Sequence, residues 1–291
     1  MHEGILCIDK PTGPTSHDVV SRVRRLADTR KVGHGGTLDP LSSGLLVLAL
    51  GRATRLLEYV QSQPKAYRAL VRLGITSSTY DGEGDLEDGG VVDVPPERLV
   101  AKLNKFRGEI EQMPPMFSAV KQQGKPLYEL ARQGVVVQRK TRRVTIYELE
   151  VLTYEPPDVT LYIRCSGGTY IRSLAHDLGQ ELGCGAYMAG LQRTEVGQLA
   201  LQDAAPLQEL NAETLPDRLL PIDAVVAHMP QLGVEQSDAR RLSQGQLIAR
   251  GDDDPEAPLV RVYDTESRFV GIATSHDDGW RPRKIFYDEA L

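Results

Sequence analysis

Between Gly33 and Gly44 the chain reads Gly33-His34-Gly35-Gly36-Thr37-Leu38-Asp39-Pro40-Leu41-Ser42-Ser43-Gly44, four glycines and a proline around one carboxylate. Glycine enters backbone regions closed to other residues, and proline fixes φ and removes a donor. Such a stretch is neither a helix nor an ordinary strand. It predicts a shaped loop that presents Asp39 to something close by, and loops on rigid scaffolds are where reactive groups concentrate. The plainer reading of an isolated Gly-rich turn is a solvated surface Asp, so the flanking sequence has to decide.

With 291 residues, 41% of them apolar, the chain suffices for one large domain or a large and a small one. No apolar run approaches the length of a membrane span. Met1-His2-Glu3-Gly4 lacks the basic stretch and long apolar region of a secretory signal. Cys7, Cys165 and Cys184 are odd in number and widely spaced, offering neither a disulfide framework nor zinc spacing, so a reducing cytoplasm is the expected setting. The net charge of −6 argues weakly against a nucleic-acid partner, but its distribution argues for one. Residues 102–143 carry ten Lys/Arg against three Glu, whereas residues 201–291 carry nine basic against seventeen acidic residues. That asymmetry suggests a polyanion for one region only, although a solvated basic face would look the same in isolation.

Flanking the loop, Gly4–Lys10 reads as a short buried strand. Ser16 is a plausible N-cap for a helix whose apolar face is Val19, Val20, Val23 and Leu26. Leu45–Leu50 is wholly apolar and bounded by Gly44 and Gly51, which predicts a central strand buried on both faces. Helical spacing resumes over 52–60, and 65–73 alternates as a strand with Tyr67, Ala69, Val71 and Leu73 on one side. Residues 81–90 read as a mobile acidic loop, 95–103 as a short helix, and 143–151 with 159–165 as a hairpin joined through Glu155-Pro156-Pro157-Asp158. A helix over 169–182 stops at Gly183, and 186–191 and 194–199 read as separate strand pieces. Past residue 225 short β-like pieces alternate with acidic turns. Strands and helices mix without a βαβ rhythm, so the expected class is α+β, with one domain over 1–225 and a small β-rich one over 226–291.

The six histidines show no His-Glu-x-x-His spacing, and there is no Cys-x-x-Cys, Walker loop, dinucleotide turn or Gly-x-Ser-x-Gly elbow. Chemistry must come from carboxylates, Tyr, Arg and placed backbone. Four stretches set polar residues in shaped or aromatic surroundings: Asp9-Lys10-Pro11-x-Gly13, the Asp39 loop, Lys65-x-Tyr67-Arg68, and Cys165-Ser166-Gly167-Gly168-Thr169-Tyr170-Ile171-Arg172. With Pro114–Lys121, Gly124–Gly134 and Leu191-Gln192-Arg193-Thr194-x-Val196-Gly197, in this order, the chain from Gly4 to about Gly197 closely resembles the TruB family of tRNA pseudouridine synthases. The tail is only position-consistent with that family's small PUA-like RNA-binding domain.

The resemblance implies a mixed, largely antiparallel central sheet flanked by helices. It implies isomerisation of uridine at position 55 in the tRNA T-loop to pseudouridine, without metal or organic cofactor. Asp39 matches the family's reacting carboxylate, and attack on C6 of the base, attack on C1′, or action on the sugar all remain open. Arg172 matches the arginine that pairs with it and keeps it ionised against burial. Tyr67 matches the tyrosine that stacks on the base, and a phenol there is also a candidate base or relay for the C5 proton. Tyr170 and Leu191 match positions lining the uridine pocket. His34 matches the histidine that fills the space a flipped base vacates. Lys10 either contacts phosphate or anchors the first motif against the Asp39 loop. The Gly167-Gly168 pair stands where a Lys is more usual, removing one expected phosphate contact. The Pro114–Lys121 block looks like the bacterial stand-alone form, and a monomer binding the T-arm of tRNA is expected. The rivals are a non-catalytic tRNA chaperone using the same groove, and a carboxylate-dependent hydrolase that lacks a second acid at recognisable spacing.

Overall fold

The structure is a computed structural model that describes residues 2–118, 121–122, 125–126 and 137–287. Its main body is an eleven-stranded mixed sheet with helices packed on it. The strands that position the site are β1 (Gly4–Lys10), β2 (Val32–His34), β3 (Ser42–Leu50), β4 (Lys65–Leu73), β5 (Ile75–Ser77), β6 (Leu86–Asp88), β7 (Gly108–Gln112), β8 (Arg142–Glu155), β9 (Asp158–Cys165) and β10 (Ala186–Val196). The long path runs Ala205–Pro206, β1, β3, β10, β4, β9, β8, β7. All but two of these contacts are antiparallel: β1 meets Ala205–Pro206 in parallel, and so does β10 meet β3. β5 and β6 form a separate antiparallel pair.

The two halves of the sheet differ in cover, as their hydrophobic patterns require. On β3 every residue from Leu45 to Leu50 is buried. Leu46, Leu48 and Leu50 pack with Val19, Val20 and Val23 of helix α1 (Ser16–Leu26), while Leu45, Val47 and Ala49 face the other way toward Leu56, Tyr59 and Val60. A strand covered on both sides has no reason to alternate. Strand β4 alternates because helix α4 (Ile171–Leu182) covers only one of its faces: Tyr67, Ala69, Val71 and Leu73 join Leu161, Ile163, Leu174 and Leu178 in one core, and Arg68 is exposed. The remaining α-helices among the described residues are α2 (Leu57–Ser62), α3 (Pro96–Leu103) and α5 (Gln236–Ser243).

Several local expectations shift. The α1 cap is Thr15, which closes a capping box with Asp18, so Ser16 is the first helical residue. Residues 186–191 and 194–199 are not two strands: β10 runs unbroken from Ala186 to Val196, with register shifts at Met188/Gly190 and Arg193/Glu195. These bulges had looked like breaks because each disturbs the two-residue alternation. The acidic 81–90 stretch is not wholly a free loop. Leu86–Asp88 pairs with Ile75–Ser77, and Asp81 is 1% exposed.

A second sheet of four strands closes the chain, with β11 (Gln231–Val234), β12 (Leu259–Asp264), β13 (Phe269–His276) and β14 (Gly279–Ile285) in that order around fully buried Trp280. It docks on α2 and the turn before it. Arg55 donates to the Ile285 carbonyl at 2.7 Å and lies over the Phe286 ring, and Lys284 pairs with Glu58 at 2.8 Å.

At the join of β3 and β10 only three residues pair, Ser42–Gly44 with Leu191–Arg193. Gly44 has φ +96°, and a Cβ there would lie 2.3 Å from the Arg193 carbonyl oxygen. Gly44→Ala therefore meets both a forbidden backbone region and a clash with main chain. It is expected to lower stability by more than about 1 kcal/mol, read as a shift of the urea midpoint at unchanged slope.

Candidate active site

The Asp39 loop links β2 to β3 and is pinned from three sides. From α1, the Ser16 hydroxyl donates to the Leu38 carbonyl and accepts from the Leu38 N–H, both at 2.8 Å. From the first turn, the Gly13 N–H donates to the Pro40 carbonyl at 2.8 Å. From β10, the buried Arg193 guanidinium donates to Leu45 O at 2.7 Å and Gly36 O at 3.0 Å. The Ser42 N–H closes the turn on the Asp39 carbonyl at 3.0 Å. Gly35 is needed because a Cβ would lie 2.2 Å from the Val60 side chain.

Opposite the loop, α4 brings in Arg172. Its first turn carries no acidic residue and its N-cap, Tyr170, makes no side-chain cap. The Gln112 side chain serves instead, accepting from the Tyr170 N–H at 2.7 Å and donating to the Tyr170 carbonyl at 2.9 Å. Arg172 places a cation near a helix N-terminus, where the dipole disfavours it. Two carboxylates compensate. Nη2 lies 3.1 Å from Asp39 Oδ2, and Nη1 lies 3.0 Å from Asp81 Oδ2. Nη2 also donates to the Phe117 carbonyl at 2.8 Å.

One guanidinium thus stands between two acids of unlike exposure: the Asp81 side chain is 2% accessible and that of Asp39 37%. Asp81 is further fixed by Thr79 Oγ1 at 2.5 Å and the Glu83 N–H at 3.0 Å. Asp39 accepts only the shared arginine among the described contacts of its side chain. Burial pushes its carboxyl above the usual 3.8. Arg172 and, more weakly, Lys10 pull it down, while Asp81 adds to the rise, and burial prevails. The acid at the loop tip is therefore the one with spare acceptor capacity and raised basicity.

The other sequence-predicted residues fall into two groups. Tyr67 lies directly across from Arg193 in the β4–β10 register and is 6% exposed. Burial pushes its phenol up to about 12. Leu191 is half-buried, across from Ala69 on one side and Ser42 on the other. Half-buried Tyr170 caps the helix that carries Arg172. His34 ends β2, with Nδ1 buried and without a hydrogen-bond partner among the described residues, and burial holds its pKa below 6.5. Lys10 stands apart: it is 0% exposed, and its ammonium donates to the Pro11 and Pro14 carbonyls at 2.9 Å each. These two bonds tie the ammonium to the turn that follows β1.

The basic segment is also partly committed internally. Lys102 and Lys105 both pair with Glu181, at 2.9 and 2.7 Å, and Arg107 donates to the Leu149 carbonyl. The side chains of Lys121, Lys125 and Arg132, and most of the 124–134 motif, lie outside the described residues. Lys140 and Arg142 are exposed.

Three contributors escaped sequence reasoning. Asp81 sits at the head of an acidic run and carries no mark distinguishing it from its neighbours. Arg193 belongs to the Leu191–Gly197 motif, but beside Gln192, Thr194 and Glu195 its charge carries no distinguishing signal. Ser16 looked like a cap.

Comparison with known proteins fits this geometry. Residues 24–171 match the N-terminal domain of the TruB family pseudouridylate synthases. Residues 172–227 match the tRNA pseudouridylate synthase B C-terminal domain, and 230–283 the C-terminal region of pseudouridine synthase II TruB. The chain belongs to the TruB family of pseudouridylate synthases. Among curated relatives, tRNA pseudouridine synthase B of Dehalococcoides mccartyi (strain CBDB1) is 44% identical over 291 residues, covering 98% of this chain and 96% of that one. The protein of that name from Pseudomonas aeruginosa (strain UCBPP-PA14) is 44% identical over 290 residues, covering 97% and 95%. Among solved structures, a chain of an H/ACA ribonucleoprotein bound to a substrate RNA containing 2′-deoxyuridine superposes with TM-score 0.76 at 26% identity, covering 99% of this synthase and 86% of that chain. A chain of the archaeal box H/ACA Nop10–Cbf5 complex gives 0.73 at 27%, covering 99% and 87%. The enzyme is thus a pseudouridine synthase with a mixed central sheet and a C-terminal β-sheet unit. No helix among the described residues is long and apolar enough to cross a membrane.

Proposed function

We propose that this synthase converts uridine 55 in the T-loop of tRNA to pseudouridine, with Asp39 as the reacting carboxylate. The observation that carries the reading is the 3.1 Å pairing of a loop-tip Asp39 with a nearly buried Arg172. A pure binder gains nothing from a raised-pKa carboxylate at a loop tip; phosphate contact asks for the opposite charge. The curated relatives described above are named tRNA pseudouridine synthase B, which supports the tRNA pseudouridylation in this reading.

In the reaction the C1′–N1 bond breaks, the uracil turns in place, and C5 joins C1′. C5 loses a proton and N1 gains one, so the product has the mass of the substrate. Asp39 acts on the base or the sugar while Arg172 holds it ionised and in place. Tyr67 supplies a ring face against the flipped base and, as a neutral phenol, a donor. At about 12 its pKa leaves it too protonated at neutral pH to serve as the resting base. Leu191 and Tyr170 line the pocket, and His34, neutral by burial, fills the space the base leaves.

The test is incubation of purified protein with a T-arm stem-loop and no additives, followed by chemical labelling specific for pseudouridine. A mass-silent, labelled base at the position equivalent to 55 is expected; RNA bound but unlabelled would select the chaperone reading. Binding should weaken linearly in log affinity against log salt, and Lys140→Ala or Arg142→Ala should each reduce the slope by about 1. A slope unchanged in both variants would remove these side chains from the interface.

A further inference from the structure

One turn beyond Arg172 on α4 stands His176, and its ring stacks on Tyr80 with centroids 3.9 Å apart and planes at 16°. Residues four apart on a helix share a face. That face therefore grips two consecutive residues of the turn after β5: Arg172 holds Asp81, and His176 holds Tyr80. Tyr80 has φ +65°, a region where a bulky side chain is disfavoured and Gly or Asn is the ordinary choice. Its backbone is tied on both sides, its N–H to Ser77 O at 3.1 Å and its carbonyl to the Met188 N–H at 3.0 Å. The buried Nδ1 of His176 has no hydrogen-bond partner among the described residues, so the imidazole is held by its face. An aromatic kept in a strained conformation, against a ring with an unmet polar atom, calls for a compensating purpose.

We propose that Tyr80 and His176 are positioning residues for isomerisation: their stack fixes the turn that presents Asp81 to Arg172, and through Arg172 it sets the aim of the Asp39 carboxylate. The inference rests on Asp39 and Arg172 being the reacting pair. The chain of contacts is continuous, from the stacked rings to Asp81, from Asp81 to Arg172 Nη1, and from Nη2 to Asp39. Loosening its first link leaves every reacting group present but lets the guanidinium drift toward whichever acid remains held.

The experiment compares His176→Ala, His176→Phe and Tyr80→Gly with the parent, using full-length protein and T-arm RNA. Single-turnover rate at saturating RNA, RNA affinity and the urea unfolding midpoint are read for each. His176→Ala and Tyr80→Gly are expected to slow the single-turnover step by about 10- to 100-fold, the size expected for misplacement of a reacting group, with RNA affinity unchanged. His176→Phe keeps a flat ring and should recover the parent rate. Tyr80→Gly relieves the strained φ, so its midpoint should stay near the parent's while its rate falls. A purely structural stack predicts a lowered midpoint with the parent rate, and that result overturns the proposal. So does a loss of RNA affinity at unchanged rate, or a His176→Phe variant as slow as His176→Ala. An Asp39→Asn control that still turns over would instead sink the underlying assignment, whatever the stack variants do.

Discussion

Asp39→Asn is expected to abolish pseudouridine formation, a loss on the order of 10⁴-fold or more in single-turnover rate, with tRNA affinity largely kept. The amide nearly matches the carboxylate in shape but has neither its charge nor its nucleophilicity, and Arg172 keeps its second partner in Asp81. The loop itself is pinned by Ser16, Gly13 and Arg193, none of which touches the carboxylate in those bonds. Stability should move the other way. Burial raises the Asp39 pKa in the native state, so the native protein binds that proton more tightly than the unfolded chain does. The contribution of this group is then fully present below the unfolded pKa and declines as pH rises through the native one. At neutral pH the ionised Asp39 is a net cost, and Asn removes it. Thermal unfolding of Asp39→Asn should therefore be at least as high as that of the parent near pH 7, with the difference vanishing in acid. For the parent, the acid limb of kcat/KM should lie above the model-compound value of 3.8. Turnover by Asp39→Asn, or an acid limb at or below 3.8, would remove the residue from the chemistry.

Arg172→Ala is expected to damage both rate and stability. It strands Asp81, whose side chain is 2% exposed, without its cation. Breaking a buried pair from one side typically costs about 3–5 kcal/mol, and the urea midpoint should report a loss of that order. Turnover should fall severely because Asp39 loses its only ion-pair partner among the described residues, while RNA binding falls modestly. The double variant Arg172→Ala/Asp81→Asn separates the two effects: stability should recover substantially and turnover should not. Arg172→Lys should behave nearly as badly as Ala in rate, since a single ammonium cannot span two carboxylates with fixed geometry. Equal defects in binding and turnover for Arg172→Ala would mark it as a phosphate anchor.

Much of this was legible in the residues. The apolar run Leu45–Leu50 announces a strand covered on both faces, and the alternation of 65–73 a strand covered on one; both follow directly from side-chain periodicity. Gly183 does stop α4, in the left-handed conformation that favours glycine. The Asp39–Arg172 contact followed from family resemblance and not from spacing, because the 132 residues of chain between them carry no periodic trace of their approach. Asp81 was invisible for a related reason. A carboxylate in a Gly-rich acidic run looks solvated until the fold supplies a buried cation, and that is a tertiary fact. The burial of Lys10 was not legible either: lysine is seldom wholly buried, yet here it lies beneath the surface, holding two proline carbonyls. The continuity of strand β10 is hidden in the sequence because bulges break a two-residue rhythm while the hydrogen-bonded ladder carries on past them.

The pinned loop has a consequence for who adapts when enzyme and nucleic acid meet. With Ser16, Gly13 and Arg193 each clamping its main chain, the acidic tip has little freedom to seek out a nucleotide. On the proposed assignment of Asp39, the ordering penalty at that point of contact falls on the polynucleotide, which must unstack and swing its nucleoside toward a fixed target. Transcripts whose arm is already frayed should enter more readily than tightly folded ones.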